Sequence, residues 1–402
     1  MLNVDAIRRD FPILNKGLTY FDSAASSLTP EQVVLKEMEF YHDYRANVER
    51  GVHRWSQQAS AEFEKAHEEV ARFINAPGPE NVAMLRNTTE GINLVANSLD
   101  WKKEDKIVTT VIEHHSNFIT WLRVGNKYGC KVHVVKATSE GAFDLGDFEK
   151  TIDDKTKIVA VTGVSNVLGV IVPVKEIAEI AHEHGAKMLV DGAQSVPHMK
   201  TDVKRDKMDF LAFSGHKMLG PTGVGGLYIA EEELYTTEPL CIGGGTIADV
   251  NIDSYTLTEP PLRFEAGTPA IAQVIGLGEA CKYLNREGME NVTLWDHVLA
   301  EKMVEGLSGI KGVTIYGPKD PKKRVGLITF NIRDLNPVDV ALTLDNDYAI
   351  AVRSGHHCAL PLMKELFNLN EGNVRASSYL YNTKEEVEKL VAAVFSRTSH
   401  PS

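Results

Sequence analysis

Between Val82 and Ile229 short apolar runs alternate with longer segments of helical spacing, and this alternation leaves few folds open to the chain. The runs fall at 82–85, 106–110, 131–135, 157–161, 188–190 and 209–213, with helices expected from Thr88, from Ser116 and over 173–184. Repeated strand-helix units of this length predict an α/β fold with a mostly parallel sheet covered on both faces. Such sheets take ligands at the carboxyl ends of their strands. There the sequence places Arg86-Asn87-Thr88-Thr89, Glu113-His114-His115, Ser165-Asn166, Asp191 and Lys217. All of these are expected to face one crevice.

A chain of 402 residues exceeds what one hydrophobic core supports, so two units are expected. After Arg263-Phe264-Glu265-Ala266-Gly267-Thr268-Pro269 the pattern changes. A helical stretch over 270–307 leads to strands at 313–316, 327–330, 349–352 and 374–377, a helix at 337–344 and a closing helix from Lys384. That order suits a smaller α+β unit over 269–402 beside a large one over 21–268. Helices at 31–42 and 60–74, joined by a polar connector at 47–53, lead into the large unit. A formal charge of −12 without a block of Lys and Arg argues against a nucleic-acid partner. The acids and arginines of the first residues, and the lack of a long uncharged run, predict a cytoplasmic protein with no membrane partner. Cys130, Cys241, Cys281 and Cys358 lack CxxC spacing, so neither a disulfide framework nor a metal site is expected.

The run 209–213 delivers Ser214, His216 and Lys217 onto a turn, and glycines return the chain to 226–229. A lysine fixed in a partly desolvated pocket loses its proton more easily and can attack a carbonyl; a surface lysine on a glycine-rich loop is the alternative. One strand-helix unit earlier, Met188-Leu189-Val190-Asp191 ends an apolar strand on a carboxylate. Pyridoxal phosphate needs this pair, a lysine for its aldehyde and an acid beside its ring nitrogen.

"VDGAQ" followed by "SGHK" resembles the class V branch of the fold-type I pyridoxal-phosphate enzymes, and "RSGHHCA" resembles its cysteine desulfurases of the Suf (group II) type. The likeness runs from Tyr20-Phe21-Asp22-Ser23-Ala24-Ala25 to Tyr381-Asn382. It implies an arm over 1–20 packed with the small unit, and a homodimer. It also implies that Thr268 reaches the phosphate of the neighbouring subunit, beside Thr88, Thr89, Ser214 and His216. Thr88 and Thr89, taken alone, also suit plain helix capping. By the same likeness His114 lies on the pyridoxal ring, Asp191 pairs with the ring nitrogen, and Asn166 and Gln194 bond the ring oxygen or the substrate side.

Arg353-Ser354-Gly355-His356-His357-Cys358-Ala359 mixes a cation, imidazoles and a thiol; three consecutive residues rarely converge on one zinc ion, which leaves an inert buried cysteine or a reactive one. In the family this cysteine takes the substrate's sulfur. Arg375 matches the arginine that grips the amino acid's carboxylate, with Arg353 also on the substrate side; a structural salt bridge is the other reading of Arg375. The expected reaction converts L-cysteine to L-alanine, leaves a persulfide on Cys358 and passes sulfur to a Suf-type acceptor for iron–sulfur cluster assembly. Selenocysteine lyase and a fold-type I aminotransferase are the alternatives. One departure stands out: Glu49 occupies the place of a histidine in the family's "VHRGxH", while Arg50 and His53 are retained.

Overall fold

The computed structural model describes residues 2–399. Its larger sheet runs, edge to edge, through Val82–Leu85, Gly225–Ile229, Phe210–Ser214, Lys187–Asp191, Thr156–Thr162, Lys106–Thr110 and Lys131–Val135. Gly225–Ile229 is antiparallel to both neighbours. The other pairings are parallel. The exception follows from the connection, since a short turn cannot make a parallel crossover. Successive residues of these strands feed opposite cores. Val159, Val161 and Val190 join one, Ile158, Ala160 and Leu189 the other, which is why the sequence shows unbroken apolar runs.

The smaller sheet orders Val313–Tyr316, Leu327–Ile332, Asn373–Ser377 and Arg353–Gly355, all antiparallel. Leu299, Met303, Val340, Leu344, Leu390 and Val394 cover it from three helices, Met289–Ser308, Pro337–Tyr348 and Lys384–Ser399.

The expected helix over 270–307 is two helices, because Gly288 takes φ +82° between Ile271–Glu287 and Met289–Ser308. Ile275, Leu277 and Leu284 of the first pack with Val33, Phe63 and Val70 in the large unit's core. That helix therefore shares a core with the helices Glu31–Asp43 and Arg54–Phe73. The second predicted helix of the chain also starts earlier, at Arg54, because His53 caps it by accepting from the Ser56 N–H. Just before it Glu49 sits at φ +73°. Among the described residues no helix is long and apolar enough to cross a membrane.

Residues 19–27 stitch the two units together. Thr19–Tyr20 pairs in parallel with Ile350–Ala351, part of the run expected at 349–352. The backbone of Phe21 accepts from Ser377 N at 2.8 Å, and Ser27 N donates to His216 O at 2.8 Å. One short stretch thus touches both the lysine turn and the arginine strand.

Candidate active site

A cavity of about 290 Å³ opens where the large sheet's strand ends meet the small sheet. The strand Phe210–Ser214 ends in the tight turn Gly215–Lys217, which directs Lys217 into the cavity lining. The return strand must come very close here: a Cβ on Gly225 would lie 2.3 Å from Phe213 O and 3.0 Å from the Cα of Asn87. Only glycine permits that approach. Burial brings the Lys217 ammonium down to about 8; Asp191 and Cys358 oppose the shift, while Arg375 and Arg353 add to it. Asp191, 2% exposed, accepts from Ala193 N at 3.0 Å, and burial raises its carboxyl above the ordinary carboxylate range despite Lys217 nearby.

Beside Ser214 begins the helix Thr88–Ser98. Its capping is done by Asn87, whose side chain accepts from Glu90 N at 3.0 Å. The threonine hydroxyls are bound elsewhere: Thr88 Oγ1 lies 2.7 Å from Ser214 Oγ, and Thr89 Oγ1 lies 2.7 Å from Ser116 Oγ. His216 is held at 3.3 Å from Ser26 Oγ, and burial, with Lys217 adjacent, lowers its imidazole to about 4. These hydroxyls and amides surround the positive end of a helix dipole.

His114 accepts from Ser116 N at 3.1 Å and is neutral at physiological pH, its pKa lowered to about 3 by burial and then by Lys217. The buried Glu113 next to it accepts from Asn117 Nδ2 at 2.7 Å, and burial pushes it up to about 8. It is therefore largely protonated at neutral pH and adds little charge against Asp191.

The small unit supplies the other wall. Arg375, 2% exposed, donates to Asn166 O at 2.9 Å and to Asp22 Oδ1 at 3.1 Å, while its buried Nε has no partner among the described residues. Both readings of this arginine thus have an atom to rest on: a salt bridge at one end and a free donor at the other. Arg353 sits directly across the sheet from Arg375. Cys358 is an exposed free thiol in the cavity lining. Asn166 spends its amide on His357 O at 2.7 Å, and Gln194 spends its own on Ala24 O at 2.7 Å. Twelve of the thirteen expected site residues line this cavity; Thr268 does not, and lies exposed in a separate cleft with Tyr41 and Asn47. The sequence reading missed Asp22 and the partner of Cys358 described below.

Residues 19–390 match the aminotransferase class-V family. The chain belongs to that family. A probable cysteine desulfurase of Pyrococcus abyssi is 49% identical over 391 residues, covering 96% of each chain. The apo cysteine desulfurase of Thermococcus onnurineus NA1 superposes with a TM-score of 0.95 at 47% identity, covering 99% of this chain and 98% of that one. The cysteine desulfurase CsdA of Escherichia coli, in an S-sulfonic acid form, gives 0.92 at 35% identity and covers 99% of both.

The lining of this class V chain fits pyridoxal phosphate. A lysine with a depressed pKa and a buried acid face one cavity, hydroxyls cluster at a helix N-terminus, and a buried guanidinium nitrogen stands unpartnered. No group of three or more His, Cys, Asp or Glu is placed to hold a metal among the described residues.

Proposed function

We propose that the chain is a pyridoxal 5'-phosphate-dependent cysteine desulfurase that moves sulfur from L-cysteine to Cys358 and releases L-alanine. One observation carries the reading: Lys217, Asp191, Arg375 and Cys358 line a single cavity. Pyridoxal phosphate, once bound, supplies an electron sink for the substrate's α-carbon. Lys217 would hold its aldehyde and Asp191 its ring nitrogen, with Thr88, Thr89, Ser214 and His216 at the phosphate. Neutral His114 gives the ring an uncharged wall, and Asn166 and Gln194 stand at its edge.

Arg375 receives the substrate carboxylate through its free Nε, with Arg353 adding positive charge at the rim. Lys217, whose amine is partly neutral near pH 7, moves the α-proton. The Cys358 thiolate then forms a sulfur–sulfur bond with the substrate while the substrate's carbon–sulfur bond breaks. That bond's electron pair goes to the substrate carbon, which takes up a proton and becomes the methyl group of alanine. No outside oxidant is needed.

Several further properties belong to this reading. A Suf-type acceptor collects the persulfide for iron–sulfur cluster assembly, and the chain works in the cytoplasm as a homodimer. Tyr41, an exposed aromatic side chain in the same cleft as Thr268, supports a second copy covering that cleft. The division is an arm over 1–20, a large unit over 21–268 and a small unit over 269–402, with the helix Ile271–Glu287 of the last packed into the core of the large one.

The test is to supply purified holoenzyme with L-cysteine, selenocysteine and a 2-oxo acid in turn. Alanine and a persulfide on Cys358 from L-cysteine are expected. Alanine from selenocysteine alone, or transamination alone, would move a different reading ahead.

A further inference from the structure

We propose that His115 is a positioning residue for Cys358, a role that rests on the desulfurase reading of the thiol. The chain around the cysteine adopts a conformation it would not hold unaided. His357 and Cys358 both lie at positive φ, +50° and +57°, a region that side-chain-bearing residues avoid unless their surroundings fix them. The surroundings do so from two directions. From the small unit, His357 Nε2 lies 2.8 Å from Asn373 Oδ1. From the large unit, the His115 backbone N–H donates to the Cys358 carbonyl at 2.7 Å, and the His115 ring Nε2 accepts from Leu360 N at 3.1 Å.

His115 therefore holds the backbone at the cysteine itself and again two residues on. Because Nε2 accepts, the ring is neutral and carries its proton on Nδ1. Burial, and His356 next to it, lower its pKa and keep it in that form at neutral pH. His115 is not among the residues lining the cavity, whereas its neighbour His114 is. The dipeptide thus divides its work. His114 forms part of the cofactor wall, and His115, facing elsewhere, sets where the thiol stands.

This predicts a split between two half-reactions. The α-proton step depends on Lys217, Asp191 and Arg375, whereas the His115 ring bonds to Leu360 beside the cysteine, so the step should proceed without that ring. Sulfur transfer depends on where the thiol stands, and a misplacement of about 1 Å can slow a reaction roughly a hundredfold. In holoenzyme, α-proton exchange of L-alanine in D2O can be followed by NMR, and persulfide on Cys358 by mass spectrometry after a single turnover of L-cysteine. His115→Ala should exchange the proton within about threefold of the parent and form persulfide at least about tenfold more slowly. His115→Gln, whose amide oxygen can replace the Nε2 acceptor, should recover persulfide formation to within about threefold.

Persulfide formation by His115→Ala at the parent rate would overturn the proposal. So would a fall in proton exchange in step with it, which would mean general damage to the cofactor wall. Should His115→Ala fail to fold, His115→Asn, polar but too short to reach Leu360, takes its place with the same two outcomes. A parent enzyme that exchanges the proton yet makes no persulfide would instead overturn the desulfurase reading, and this proposal with it.

Discussion

The wall of the pocket that carries Lys217 and the wall that carries Cys358 are held by different means. Lys217 follows a fully buried strand locked between two neighbours, and a turn fixed by glycine contacts leads straight to it. Cys358 sits on a short turn between the strand Arg353–Gly355 and the helical segment Leu362–Leu366, with bonds to the large unit through Asn166 and His115. Where charge develops and must be met by fixed dipoles, the sheet supplies rigidity. Where sulfur must be taken up and handed on, the chain supplies an exposed turn that neighbouring residues hold in place. The two walls should therefore fail independently, and substitutions can test that.

Lys217→Ala gives the largest effect, because both proton movement and sulfur transfer depend on the amine. Turnover of L-cysteine should fall by on the order of 10⁴, the upper range for a positioned acid–base group, with the melting temperature little changed. L-alanine α-proton exchange should vanish as well. Exchange that persists in this variant would show that another base does the work and that the lysine wall is misassigned.

Cys358→Ala should break only the other wall. Turnover of L-cysteine should drop by about a hundredfold or more, while α-proton exchange, which needs Lys217, Asp191 and Arg375 alone, continues near the parent rate. A parent-like desulfuration rate with acceptor protein present would make Cys358 structural and favour the selenocysteine lyase reading.

The third prediction concerns pH and the lysine wall alone. Burial lowers the Lys217 ammonium to about 8, and only the neutral amine captures an aldehyde. Below that value the neutral fraction rises about tenfold per pH unit, and above it the fraction saturates. Capture of pyridoxal phosphate by the apoprotein, followed by the growth of its absorbance, should therefore climb from pH 6 to 8 and level off near 9. A rise that continues to pH 10.5 would mean that the amine is solvated as an ordinary lysine is.

The lysine wall was also the more legible in the sequence. Its strands announce themselves because runs such as Lys157-Ile158-Val159-Ala160-Val161 must satisfy a core on each face, and the polar residues at their ends had nowhere to go but the crevice. The cysteine wall was legible only in part. The thiol and the arginines were readable from their motif. The pairing of Asp22 with Arg375 and the hold of His115 on Leu360 were not, since each joins residues more than two hundred positions apart and leaves no periodic trace. The pair His114-His115 was the available signal: neighbours on an extended chain face opposite ways, so one of the two had to serve something other than the cofactor. Gly288 was likewise visible as a residue yet silent as a break, because a glycine inside a helical pattern is tolerated more often than not.

The smallest predicted effect probes whether the lysine wall is complete within one chain. Thr268 lies outside the cavity, exposed beside Tyr41, so any contact it makes with the phosphate must come from a second copy. A hydroxyl bond to a charged group contributes about 1.5 kcal/mol, so Thr268→Ala should weaken cofactor retention about tenfold and leave Cys358 alkylation untouched. The decisive form of the experiment mixes subunits. In a hybrid of Lys217→Ala with Thr268→Ala, the site that retains Lys217 receives Thr268 from its partner and is whole, while the other site is dead. Mixing should therefore restore cofactor retention at half of the sites under conditions where the Thr268→Ala dimer has lost most of it. If mixing restores nothing, or if Thr268→Ala retains cofactor as the parent does, the lysine wall is built by one chain alone and the shared-site reading falls.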